Sequence, residues 1–151
     1  MRYRKAAPDV YVGGAPTEQD LRELAARGVH TVVDFRDPAE RKGAQDGPAA
    51  ARAAGLSYVN IPVSAKAPSE RAVWDLQQAL ARQSGGYLLH CAKGPRAEAM
   101  YMSKAALDHC WGPAQAAEEA ARLGFECGRE PRLAGFVGDF AARHGGAGGY
   151  P

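Results

Sequence analysis

Cysteine is scarce in this chain, and the three present, Cys91, Cys110 and Cys127, are far apart. An odd count without close spacing argues against a disulfide framework or a cysteine zinc site, and it suits a reducing cytoplasm. His30, His109 and His144 have no metal-ligand spacing either, so no metal or cofactor is expected. Charge of one sign is equally lacking. Lys and Arg number 19 against 17 Asp and Glu, a net +2, too small to point to nucleic acid or a membrane surface. No stretch approaches the roughly 20 apolar residues that span a bilayer. The basic opening "MRYRKAAPDVYV" has neither the apolar core nor the cleavage pattern of a signal peptide.

What is present is an ordinary globular composition, 46% hydrophobic and 24% charged over 151 residues, which fits one domain over residues 1–151 with 145–151 as a loose tail. Strand-like and helix-like segments alternate. "DVYVGG" (9–14), "VHTVVDF" (29–35), "LSYVNIPV" (56–63) and "YLLHC" (87–91) read as strands, the last apolar enough to be central. Helices are expected after Thr17, whose spacing to Asp20 suits a capping box, over the short "AAARAAG" to Gly55, from Pro68 to Arg82, and from Ala97 to Cys110. Two more follow, one started by Pro113 and one over "PRLAGFVGDFAARH". "RDPAERKGAQDGP" (36–48) reads as a charged loop. The pattern predicts a three-layer α/β domain with a mostly parallel sheet of about four to five strands flanked by helices. Sites in such sheets lie at the carboxyl ends of strands, before the next helix.

"YLLHCAKGPRA" (87–97) occupies such a place. A turn between a strand end and a helix start aims backbone N–H groups into one concavity, and the helix dipole adds partial positive charge. A thiol there should have a lowered pKa. Lys93 and Arg96 add cations, the latter with a planar fork that grips two oxygens of a phosphate, and Gly94 permits the tight turn. Nucleophile beside oxyanion cradle is the requirement for covalent phosphoryl or sulfur transfer. His90 reads as a hydrogen-bonding neighbour of Cys91, and Asp34 as a structural acceptor inside its strand.

"HCAKGPR" resembles the cysteine phosphatase signature, and the chain from about Val10 to Phe125 is similar to the bacterial beta-lactamase-hydrolase-like phosphatase family within the dual-specificity and tyrosine phosphatase superfamily. The stretches carrying the likeness are "VYVGGAPTEQDLRELAARGVHTVVDFRD", "GLSYVNIPVSAKAPSERAVWDLQQAL" and "GPAQAAEEAARLGF". The resemblance implies a phosphotyrosine-phosphatase-like fold. It also implies a phosphocysteine formed on Cys91, Arg96 as the phosphate ligand, and a cradle made by Ala92, Lys93, Gly94 and Pro95. The partner would be a phosphorylated protein or a small phosphorylated molecule.

Three features depart from the commoner signature. Four residues separate Cys91 from Arg96 instead of five, a spacing closer to rhodanese-type loops and also to the bacterial phosphatase-like family that the chain resembles. Pro95 has no N–H to give, and Ala97 stands where a Ser or Thr hydroxyl is usual. The loop "SAKAPSE" (64–70) contains no Asp to act as general acid. Asp37 in "FRDPAE" is the replacement expected, with Glu70 a weaker candidate. Two other readings stay open on these grounds: a sulfurtransferase carrying a persulfide on Cys91, and a phosphate-binding module without catalysis.

Overall fold

The computed structural model describes residues 3–43, 46–83 and 85–146. Its centre is a five-stranded sheet in the order β1-β2-β5-β3-β4. The strands are β1 (Arg4–Ala7), β2 (Val10–Gly13), β3 (Thr31–Asp34), β4 (Ser57–Asn60) and β5 (Tyr87–His90). β1 is an antiparallel edge strand and the others run parallel. The register pairs Gly13 with His90, His90 with Asp34, and Asp34 with Asn60. All four parallel strands therefore end on one line, and the loops leaving them share one edge.

Alternation along the strands builds two cores. Val32 and Leu88 face α1 (Glu18–Ala26) and α2 (Pro48–Ala53), packing with Leu21, Leu24, Ala50 and Ala51. Val33 and Leu89 face the other way, against Val73 and Leu76 of α3 (Glu70–Arg82), Met100 of α4 (Pro95–His109) and Phe140 of α6 (Pro131–His144). α5 (Pro113–Arg122) covers the outer side of α4 and α6 through Ala116. This is the expected three-layer α/β fold with β5 at its centre.

The differences from expectation lie at element ends. β1 was not expected. β4 stops at Asn60 rather than Val63, because the Asn60 side-chain amide turns back to donate to the carbonyls of Asp34 and Arg36 at 2.8 Å each. α3 starts after Ser69, whose hydroxyl accepts from Ala72 N–H, so Pro68 lies outside the helix. α4 starts two residues earlier than expected, at Pro95. The charged loop holds a 3-10 turn over Pro38–Glu40. Of the expected tail, Gly145 and Gly146 lie against the backbone of Trp111 and Cys110, and 147–151 fall outside the described residues. The Thr17–Asp20 capping box is present as read.

Gly86 leads into β5 at φ +89°, and a Cβ there would sit 1.9 Å from the Gly28 carbonyl oxygen. Gly86→Ala is expected to cost at least about 2 kcal/mol in thermal or urea unfolding, strain and clash together. Gly55→Ala, with φ +80° but open space around it, should cost only about 1–2 kcal/mol.

Candidate active site

The sequence from Tyr87 to Arg96 builds its own pocket. β5 carries Cys91 to the common edge, where its N–H donates to the Gly13 carbonyl at 3.3 Å and its side chain is 1% exposed. Gly94 then adopts φ +119°, open to glycine alone at low cost. That turn points the Gly94 N–H at Cys91 Sγ, 3.1 Å away. Pro95 is the first residue of α4, where a fixed φ suits the helix and the missing N–H costs it nothing. It shapes the cradle without donating to it. The first helical hydrogen bond is Glu98 N–H to the Gly94 carbonyl at 2.9 Å. The N–H groups of Arg96 and Ala97 are therefore left without a helical acceptor, at the positive end of a 15-residue helix. The Ala92 carbonyl is held by the Ala15 N–H at 3.0 Å, and the Lys93 side chain is exposed. Burial pushes the Cys127 thiol up to about 12, which makes it inert.

Arg96 is held on two of its faces. Nη1 and Nη2 donate to the two Glu40 carboxylate oxygens at 2.8 and 2.7 Å, and Nη1 also donates to the Val63 carbonyl at 3.1 Å. A guanidinium has five N–H groups. The pair left over is Nε–H with the second Nη2–H, a side-on fork of the kind that grips two oxygens of an oxyanion. Glu40's hydrogen bonds hold the Arg96 pKa above its ordinary value, with the nearby Cys91 sulfur adding to the effect. Arg96 in turn keeps the Glu40 carboxyl below its usual range.

Asp37 and Glu40 belong to one turn. Asp37 Oδ1 accepts from Ala39 N–H, and Glu40 Oε2 accepts from Asp37 N–H, each at 2.9 Å. Asp37, Glu40 and Arg96 line one open cleft of about 720 Å³ with the segment Pro62 to Ala67. Cys91, 1% exposed, is not on the lining of this cleft, and Lys93, Gly94 and Pro95 line a separate cavity; of the expected site residues, the cleft brings together Asp37 and Arg96. Glu70 is not among them: it pairs with Arg143 and with His144 on α6, which removes it as a proton donor to this cleft.

Behind the loop lies a buried polar cluster that the sequence reading did not resolve. Asp34, inside β3 and 0% exposed, accepts from Arg36 Nε and Nη2 at 3.0 and 2.9 Å and from the Tyr58 hydroxyl at 2.6 Å. Arg36 spans onward to Asp46 with Nη1 and Nη2, both at 2.9 Å. Burial alone would raise the Asp34 pKa, but the donors from Arg36 and Tyr58 outweigh it and the carboxyl stays low. Asp46 is drawn down to about 2, chiefly by Arg36. His90 is held neutral by burial, and its Nδ1 lies 3.2 Å from the Cys91 carbonyl, so Nδ1 carries the proton. The signal for Glu40 was present in the sequence: Asp-Pro-x-Glu after a strand has capping-box spacing. Nothing in the pattern marked Arg36 as buried.

Comparison with known proteins bears on the family and the fold. The family described as "Beta-lactamase hydrolase-like protein, phosphatase-like domain" matches residues 2–108, well over half the chain. A beta-lactamase hydrolase-like protein of Agrobacterium fabrum is 35% identical over 101 residues, covering 64% of this chain and 23% of that protein. The match thus spans about a quarter of the curated relative. Among solved structures, a DUF442 phosphatase-like protein of Shewanella putrefaciens superposes with TM-score 0.78 at 22% identity, covering 96% of this chain and 92% of that one. PTPMT1, solved with PI(5)P, gives TM-score 0.73 at 20% identity over 95% and 99% of the two chains. TpbA of P. aeruginosa, solved with pTyr, gives 0.72 at 20% identity over 95% and 90%. At these identities the structures speak for the fold.

Glu40→Ala should free Arg96 to leave its orientation and weaken oxyanion handling at Cys91 on the order of 10²-fold, read as kcat/KM on any substrate the protein turns over. The buried cluster has its own pH signature. The depressed Asp46 carboxyl adds stability that is complete above its ordinary value of 3.8 and is lost as pH falls toward about 2. Acid unfolding of Asp46→Asn should accordingly be shallower than that of the unmodified protein between those two values.

Proposed function

We infer the function from a premise of kinship: this chain belongs to the beta-lactamase hydrolase-like protein phosphatase-like domain family, and family and fold together support a cysteine-based phosphatase. Beyond that class, the reading is that the protein hydrolyses a phosphomonoester through a phosphocysteine. The observation that carries it is Cys91 Sγ at 3.1 Å from the Gly94 N–H, at the start of a helix whose second residue is Arg96.

In this reading, Arg96's side-on fork and the N–H groups of Arg96 and Ala97 hold the three non-bridging phosphate oxygens. Cys91 Sγ, as thiolate, attacks phosphorus. An S–P bond forms, the P–O ester bond breaks, and the leaving oxygen takes a proton from Asp37. Water then attacks the phosphocysteine, giving its proton to Asp37 while the S–P electrons return to sulfur. The products are an alcohol and inorganic phosphate. His90 supports the step by fixing the Cys91 carbonyl rather than by taking a proton.

The cleft also favours one kind of leaving group. Among the described residues lining it there is no aromatic ring to stack on a tyrosyl phosphate; its walls are Pro62 to Ala67, Asp37 and Glu40. Of the neighbours, PTPMT1 was solved with PI(5)P and TpbA with pTyr. The wall composition speaks for the phosphate of a small non-aromatic alcohol. Sulfur transfer through a Cys91 persulfide is the second reading, favoured by the four-residue spacing to Arg96.

A small aryl phosphate should be hydrolysed without added metal, and Cys91→Ser should abolish it. Equal rates in the two proteins would remove Cys91 from the chemistry. Tight phosphate binding without turnover would leave only a binding module, and thiocyanate made from thiosulfate and cyanide by the unmodified protein alone would favour sulfur transfer. Asp37→Asn should slow an alkyl phosphate by about 10²–10⁴-fold, because a poor leaving group needs the proton. The same change should affect an activated aryl phosphate far less.

A further inference from the structure

We propose that Arg36 and Asp46 are positioning residues for Arg96, acting through Glu40 across the loop that joins β3 to α2; this rests on the reading of Arg96 as the phosphate ligand. The path is a chain of short contacts. Arg36 is 3% exposed, and its guanidinium bridges Asp34 at the start of the loop to Asp46 near its end. Asp46 Oδ2 also accepts from Lys42 N–H at 2.9 Å, only two residues past Glu40. The segment between is tied from the other side. Asn60 Nδ2 holds the Arg36 carbonyl at 2.8 Å, and Asn60 Oδ1 accepts from Arg41 Nη2 at 3.3 Å. Glu40 is thus flanked by fixed points at Arg36, Arg41 and Lys42, and its own carboxylate meets both Nη atoms of Arg96. No atom of Arg36 or Asp46 is hydrogen-bonded to the Cys91 loop among the described residues.

A loop of this length could be held by apolar packing. Here it is held by a guanidinium with a carboxylate on either side, which fixes direction as well as distance. Removing Asp46 would release the Lys42 N–H and one half of the Arg36 clamp. Glu40 would then reach Arg96 only part of the time, and the Nε/Nη2 fork would lose its aim.

The test is a double-mutant cycle read by calorimetric binding of inorganic phosphate to the Cys91→Ser protein, so that it does not depend on turnover. Asp46→Ala should weaken phosphate binding about tenfold when Glu40 is present, and less than about twofold in a Glu40→Ala background. Asp46→Asn, which keeps one acceptor and guards against misfolding, should lie between. A merely structural role would lower the melting temperature in both backgrounds without this coupling. Additive losses, or no effect of Asp46 on binding, would overturn the proposal and leave the phosphatase reading intact. Failure of the Cys91→Ser protein to bind phosphate at all would instead remove Arg96's assigned role, and the proposal with it.

Discussion

The site depends on where one helix begins. α4 starts at Pro95, inside the loop between Cys91 and Arg96, so that loop is short and its last residue, like Arg96 itself, is already helical. Gly94 at φ +119° makes the entry possible, and its N–H, freed from any helical acceptor, turns to the sulfur. A helix starting at Ala97 would leave Arg96 in a mobile turn with a full rotamer set to lose on binding, at about 2 kcal/mol of side-chain entropy. In the first turn its backbone is set, and only the side chain needs direction. The four-residue spacing follows from the same geometry: Pro95 spends no N–H because a first helical residue has none to use internally.

Direction comes from charges held out of water. Arg36, Asp34 and Asp46 form a pair of ion pairs whose desolvation costs several kcal/mol per ion before their attraction repays it. An apolar cluster would hold β3 to α2 as firmly. What it would not do is fix the exit angle of a loop that must deliver one carboxylate to one guanidinium 56 positions further along the chain. Neutral His90, Tyr58 and Asn60 complete the cluster by satisfying the remaining acceptors. Loss of any one member leaves a buried polar group unmatched, so the web behaves as a unit.

Much of the fold was legible because its strands are short apolar runs closed by glycine or proline and its helices carry caps. Thr17 with Asp20, Gly55, Pro113 and "YLLHC" all announced their elements by local chemistry. β1 was hidden because "RKAA" has no strand pattern of its own; it is ordered by pairing with β2 and by long-range contacts such as the Tyr101 hydroxyl on the Ala6 carbonyl. The site was half legible. Cys91, Gly94 and Arg96 lie within six consecutive positions, so local spacing exposes them. Glu40 and Val63, which orient Arg96, come from two other loops and meet it only through the register of the sheet. Arg36 was read as part of a charged loop because a buried arginine has no signature of its own; only its partners' positions in space reveal it.

The charge balance at Arg96 bears on what kind of binding this cleft performs. Glu40 neutralises the guanidinium before any ligand arrives, and Asp37 stands on the same wall. An oxyanion entering the cleft therefore gains less from net charge than it would at a bare arginine. On the binding mode proposed above, what it would meet is a set of oriented donors: the side-on fork of Arg96 and the N–H groups at the head of α4. Such donors favour the geometry in which charge spreads over three equatorial oxygens, and they favour a resting phosphate less. A binding module gains nothing by compensating its cation in this way. A catalyst does, because affinity for the resting ligand adds nothing to turnover once the site is filled; on the phosphocysteine route proposed above, a fork held still by Glu40 and Val63 would be ready when the S–P bond begins to form.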